Sequence, residues 1–144
     1  MRKESMIIDD IEYHIGILGS DEEARRVLPT MMAVYVWADK NGFLSKDGID
    51  ALGRPAQHAV NVDYYEEIIY DRCDGKILSE YFDVAVREFI SSYIETGDYW
   101  IDVESSLGVK SIYDVELGEG VMGILVGVIE NSHRSTTPLP RSNR

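Results

Sequence analysis

Three groups of residues in this chain have side chains able to do chemistry. Asp10, Glu12 and His14 lie close together near the start and could offer oxygen and nitrogen ligands to a metal. The only other histidines, His58 and His133, stand far along the chain, and no H-E-x-x-H or paired-cysteine spacing completes a zinc site. The simpler expectation is that His14 hydrogen-bonds locally and fixes the N-terminal arm. Cys73, the single cysteine, has Asp71 and Asp74 close by. Negative neighbours raise a thiol's pKa and make it a poor nucleophile, and Arg72 offsets this only in part. No G-x-S-x-G elbow or phosphate-binding glycine loop occurs. Carboxylates are abundant, and nothing singles out one pair as acid and base. The sequence assigns no catalytic residue, no metal ligand and no cofactor.

The third group is a carboxylate stripe. In a helix opened by Asp63, the residues Asp63, Glu67 and Asp71 share a face, Glu66 and Tyr70 flank it, and Asp74 lies just beyond. Tyrosines give rigid contact area and acids steer a basic partner, so this stripe is the candidate docking surface, with Asp98, Tyr99 and Asp102 further along. Two stretches imitate calcium loops. Asp39 to Asp47 has Phe43 and Leu44 where an EF-hand needs a ligand and a glycine, and the Asp71 to Tyr81 stretch puts Arg72 at a ligand position. Both read as turns that end helices.

The global charge agrees with a docking role. The 144 residues carry a formal charge of -12, and residues 1–133 hold 11 basic against 26 acidic side chains. Such a field repels nucleic acid and anionic lipid and attracts cationic partners; it also serves plain solubility. The lone cysteine suits a reducing compartment, and the sequence shows no signal-peptide pattern. The longest later apolar run, Val121 to Ile129, has nine residues including two glycines, where a membrane span needs about 20. The expectation is a cytoplasmic protein without a membrane segment.

The elements that must position these groups are mostly helical. From Met31 to Ala38 every residue is apolar or aromatic, and a helix without a polar face belongs in the middle of a core. Pro29 suits its first turn and Asn41-Gly42 its stop, with Asp39 and Lys40 expected to turn outward. Around it the caps predict a short helix from Asp21 to Val27, one from Ser45 to Gly53, and one from Asp63 to Cys73 closed by Asp74-Gly75. The clearest amphipathic pattern, Phe82, Ala85, Val86, Phe89, Ile90, Tyr93 and Ile94, predicts a helix with Ser79 as N-cap. Residues 9–14 suit either an extended arm or a helical turn. Residues 98–104 are mixed, and 112–115 alternate without an obvious strand partner. A last helix, 119–132, carries Gly123 and Gly127 on one face, with a strand as the competing reading for 124–129. The expected architecture is a mostly α single domain, residues 1–133, of five or six helices around the buried central one, with room for a minor extended pair. Residues 134–144 are expected to form a disordered basic tail.

The order of short motifs also carries a resemblance. Asp9-Asp10…His14, Trp37-Ala38…Asn41-Gly42-Phe43-Leu44, Cys73-Asp74-Gly75-Lys76, Tyr93…Tyr99…Asp102 and Ser111-Ile112-Tyr113-Asp114-Val115 follow one another in this chain. This layout resembles a family of small acidic bacterial proteins of uncharacterised function, thought to include toxin-immunity proteins. The family usually has Trp before the histidine, where this chain has Tyr13, and residues 45–62 diverge. It offers no established catalytic residues. The resemblance implies an immunity protein that binds and neutralises a cognate toxin with a basic surface. The alternatives are a small hydrolase or metal-dependent enzyme using the Asp9–His14 cluster, and an adaptor unrelated to toxins. The sequence leaves the oligomeric state open, including whether the Gly123/Gly127 face packs internally or against a second copy.

Overall fold

A computed structural model describes residues 7–20, 25–58, 62–115 and 120–136. Its organising element is α2, Leu28–Lys40, in which every residue from Leu28 to Asp39 is buried. Pro29 sits in its first turn, where a missing N–H costs nothing. Because α2 has no solvent face, neighbours cover it on all sides, and most of its polar side chains find partners among them, Thr30 Oγ1 having none among the described residues. The Tyr35 hydroxyl donates to the Lys76 carbonyl at 3.2 Å, and Trp37 Nε1 donates to Glu130 at 2.8 Å. Tyr99 reaches the Thr30 carbonyl at 2.6 Å. Asp39 does not turn outward as expected. It is buried, and its carboxylate accepts from Arg54 Nε at 2.8 Å and from the Ala56 N–H at 3.0 Å. The end of the central helix is thereby tied to the turn that follows the next one.

Around α2 lie α1 (Ile11–Leu18), α3 (Lys46–Leu52), α4 (Val62–Glu66), α5 (Val84–Glu95), α6 (Asp98–Leu107) and α7 (Val121–Thr136). The domain is mostly α, as the sequence implies, and includes a minor extended pair. Strand β1 (Ile7–Asp10) runs antiparallel to β2 (Lys76–Leu78). The register slips between Ile7 and Asp9. Regular alternation would put these two residues on one face, whereas the irregularity leaves Ile7 exposed and Asp9 buried. Residues 9–14 are therefore both of the expected things, a strand end running straight into a helix.

Several boundaries differ from expectation. The N-cap of α5 is Asp83, whose side chain accepts from the Ala85 N–H, while Ser79–Tyr81 is a separate 3₁₀ turn with Ser79 buried. Phe82 is extended and bridges to Leu44, which pins α3 to this turn. Residues 98–104, expected to be mixed, are the first part of α6, Asp98–Leu107, entered through Gly97 in the left-handed region. Of residues 112–115, which alternate without an obvious strand partner, Ile112–Asp114 form a 3₁₀ turn. The helix expected over 21–27 falls mostly outside the described residues, with Arg25–Val27 as a 3₁₀ turn. The tail expected beyond residue 134 is described only to Thr136, as the end of α7. At Gly123 and Gly127 an added Cβ would meet no atom of the described residues within 4 Å apart from the helix's own backbone, so among the described residues that face makes no close packing.

Candidate functional site

The stripe predicted over Asp63–Asp74 is reshaped by backbone geometry. Beyond Glu66 the α-helix α4 widens into a π-helical segment, Glu67–Arg72, closed by the Cys73 N–H donating to the Ile68 carbonyl five residues back at 3.0 Å. In a π turn the neighbour along the face is i+5 rather than i+4. Glu67 accordingly meets Arg72 at 2.6 Å and does not share an unbroken seam with Asp71. Arg72 also reaches the Ala51 carbonyl at 3.3 Å, tying this segment to the end of α3.

That tie brings in acids the stripe did not include. Asp47 and Asp50 are exposed on α3, as are Glu67 and Asp71 on the π-helical segment. Between Asp47 and Asp50 in the chain stands Ile49, 46% exposed. Glu80, in the turn under α3, adds a partly exposed carboxylate. The placement of α3 depends on Gly48, where a Cβ would collide with the Tyr81 carbonyl oxygen. The Ser45 hydroxyl caps α3 by accepting from the Gly48 N–H at 3.0 Å, and it donates to the Glu80 carbonyl at 2.6 Å.

The other predicted docking residues divide. Glu66 and Tyr70 are partly exposed beside this face. Asp63 lies in the first turn of α4, and its side chain is outside the described set. Asp74 is exposed, has φ of 55°, and pairs with Lys76 Nζ at 3.0 Å. Asp98 is exposed at the start of α6. Asp102 is partly exposed and accepts from the Tyr93 hydroxyl at 2.6 Å; with Ser105, Ser106, Asn131 and Ser132 it lines a groove of about 410 Å³ between α6 and α7. Tyr99 is fully buried, so it has no surface to give a partner and serves the core instead. These residues do not form one site: the acids of α3 and the π-helical segment adjoin, whereas Asp98 and Asp102 belong to α6.

The chain matches no family model, no curated protein and no solved structure.

A second polar site lies at the strand–helix junction. His14 is 1% exposed, and both ring nitrogens have partners. Nε2 lies 3.0 and 3.1 Å from the two Asp9 carboxylate oxygens, and Nδ1 lies 2.7 Å from the Tyr113 hydroxyl. Against a carboxylate Nε2 must carry a proton. In the neutral ring Nδ1 therefore accepts from the phenol. Burial, and then the charge of Asp9, push the Tyr113 phenol above its ordinary range, which keeps it a donor. Three rings surround the imidazole edge-on: Tyr13 at 5.4 Å, Tyr113 at 5.6 Å and Trp100 at 5.8 Å. His14 thus fixes the N-terminal arm, as its simpler reading held, but through a partner 99 residues away. Asp10 and Glu12 are not its partners: Asp10 caps α1 by accepting from the Glu12 N–H. Among the described residues, no group of three or more His, Cys, Asp or Glu side chains converges as a metal site. Cys73 is buried and its thiol is pushed up to about 11, chiefly by burial.

Proposed function

We propose that this protein is a cytoplasmic bacterial immunity protein, which binds a cognate toxin with a basic surface and neutralises it by covering its active or substrate-binding face. The observation that supports this reading is the set of exposed acids on two adjoining elements, Asp47 and Asp50 on α3 and Glu67 and Asp71 on the π-helical segment, with Ile49 exposed elsewhere on α3. Such a face combines the two things a specific interface needs. Carboxylates raise the encounter rate with a cationic partner, and an exposed apolar side chain supplies desolvation energy once contact is made. Arg72, exposed within the face, is paired with Glu67 and a backbone carbonyl, and exposed Lys46 is a further cation on α3, so the carboxylates there are only partly offset. Asp98 and Asp102 are a separate acidic surface on α6. No described helix is long and apolar enough to cross a membrane.

The test is capture of partners from native cells at low salt, followed by expression of each captured protein alone and together with this one. A partner that is toxic alone and harmless in the pair is the expected result. Its association rate should fall with added salt, and should fall about tenfold or more in a variant carrying Asp47→Lys and Asp71→Lys. Partners that bind this variant as fast as the parent, or that are harmless by themselves, would overturn the proposal.

A further inference from the structure

The Asp9–His14–Tyr113 chain has the order of parts that activates a hydroxyl nucleophile, and the docking proposal makes no use of it. A hydroxyl lies within hydrogen-bond reach of an imidazole nitrogen, and the other nitrogen is oriented by a buried carboxylate. The carboxylate comes from β1, the imidazole from α1 and the phenol from the 3₁₀ turn at 112–114, so the arrangement survives only in the folded chain. Asp9 and His14 are shielded from water, while Tyr113 is partly exposed, Trp100 is partly exposed and Tyr13 is 64% exposed. The buried end of the chain is therefore the base and the outer end is the phenol.

We propose that Tyr113 is a base-activated acyl-acceptor site, selective for uncharged activated acyl donors such as aryl esters. In the step, Tyr113 Oη attacks the carbonyl carbon and a new C–O bond forms. The phenolic proton passes to His14 Nδ1, and the imidazolium so formed is stabilised by Asp9 at Nε2. The C–O bond to the leaving group then breaks, the aryloxide departs, and Nδ1 gives its proton to that oxygen or to water. The raised phenol pKa makes a free phenolate scarce at neutral pH, so the reaction depends on transfer to His14 during attack. Selectivity follows from the surroundings. Aromatic rings rim the site, and its nearby charges are mainly acidic: Asp9 itself, Asp10, Glu12 beside Tyr13, and exposed Asp114 beside Tyr113. Of the cations on this side, Lys76 is engaged by Asp74 and lies 4.0 Å from Asp10, and exposed Arg26 sits on the Arg25–Val27 turn that packs against the turn carrying Tyr113, so the carboxylates outnumber them. An anionic donor such as an acyl phosphate meets like charge there.

The experiment treats the full chain with p-nitrophenyl acetate at neutral pH and follows acetylation of each residue by peptide mass spectrometry. Tyr113 should be acetylated about tenfold or more faster than Tyr13, although Tyr13 is the more exposed ring. This comparison is internal to the parent protein and needs no variant to fold. His14→Gln should slow Tyr113 by about 100-fold, within the usual range for a general base, and leave Tyr13 unchanged. Asp9→Asn, which keeps an acceptor for Nε2, should slow Tyr113 by a smaller factor, and acetyl phosphate should be the poorer donor. Faster acetylation of Tyr13 than Tyr113, or a Tyr113 rate unchanged in a folded His14→Gln variant, would overturn the proposal. Equal reaction with acetyl phosphate would overturn its selectivity.

Discussion

The structural weight of the buried histidine can be measured directly. Replacing Asp9 by Ala removes the acceptor of His14 Nε2–H at a site 1% exposed, where water cannot take its place. A buried donor left without a partner costs about 1–3 kcal/mol. The same substitution removes the oxygen that accepts from the Asp10 N–H at 2.9 Å, a bond worth about 1 kcal/mol. Asp9→Ala should therefore destabilise by about 3 kcal/mol, a large part of the roughly 5–15 kcal/mol that holds a domain folded. Asp9→Asn keeps an amide oxygen facing Nε2 and should cost about 1 kcal/mol. Tyr113→Phe removes the donor to Nδ1 at a partly exposed position and should also cost about 1 kcal/mol.

Urea unfolding of the three variants at one fixed pH gives these values from midpoints at constant slope. The double variant Asp9→Asn with Tyr113→Phe adds a second check. Both residues act on one ring, so their effects should depart from additivity by about 0.5 kcal/mol or more. If Asp9→Ala and Asp9→Asn cost the same, the loss does not come from an unpaired Nε2–H, and the assignment of donor and acceptor fails.

Gly48→Ala should destabilise by about 3 kcal/mol or more, since the new methyl meets a backbone carbonyl that cannot rotate aside; thermal melts with Gly16→Ala, a helical glycine in α1 that gains no such contact, separate collision from the general effect of replacing glycine. Phe89→Ala should cost about 3 kcal/mol, because Phe89 packs on Trp37 at 5.8 Å, Tyr93 at 5.3 Å and His133 at 4.9 Å; a urea shift below about 1 kcal/mol would contradict that packing. Burial raises Cys73 from 9.0 to about 11 and Tyr65 from 10.0 to about 12. In both cases the folded form holds its proton where the unfolded chain has lost it. The stability these groups contribute is thus complete below about pH 9 and drains away as pH rises through 9–11 for the thiol, at about 1.4 kcal/mol per unit. Urea midpoints should be flat from pH 7 to 8.5 and fall above it, and Cys73→Ala should flatten the first part of that fall.

What the sequence discloses and what it hides have physical causes. The central helix is legible because Met31 to Ala38 has no polar side chain to place in water, whatever surrounds it. Helix α6 was hidden by composition: Asp98, Asp102 and Glu104 interrupt the apolar residues, and only Tyr99 and Val103, four apart and both buried, mark its inner face. The cap of α5 lies at Asp83 because Ser79 to Phe82 is spent on gripping α3, a contact that no local pattern records. Asp39 and Tyr99 misled in opposite senses. A carboxylate after an apolar run suggests water, yet Arg54 and Ala56 hold it inside; a tyrosine among acids suggests surface, yet its hydroxyl reaches into the core.

The acidic face shows the same limit at a finer scale. Counting by four along an ideal helix aligns Asp63, Glu67 and Asp71, and of these Glu67 and Asp71 are exposed carboxylates. The π turn changes the count at Glu67, so its neighbour becomes Arg72, and one negative charge of the expected stripe is spent internally. The same turn aims Arg72 at the Ala51 carbonyl, joining the segment to α3, whose Asp47 and Asp50 stand exposed. The face is therefore a property of two elements and the arginine between them. Arg72→Ala should consequently do two opposing things to a cationic partner: it frees Glu67, and it loosens the α3 contact. If the acids act only through their summed charge, association should speed up in this variant. If their arrangement matters, the association rate should rise at low salt while the complex dissociates faster, and the two rates measured together distinguish these cases.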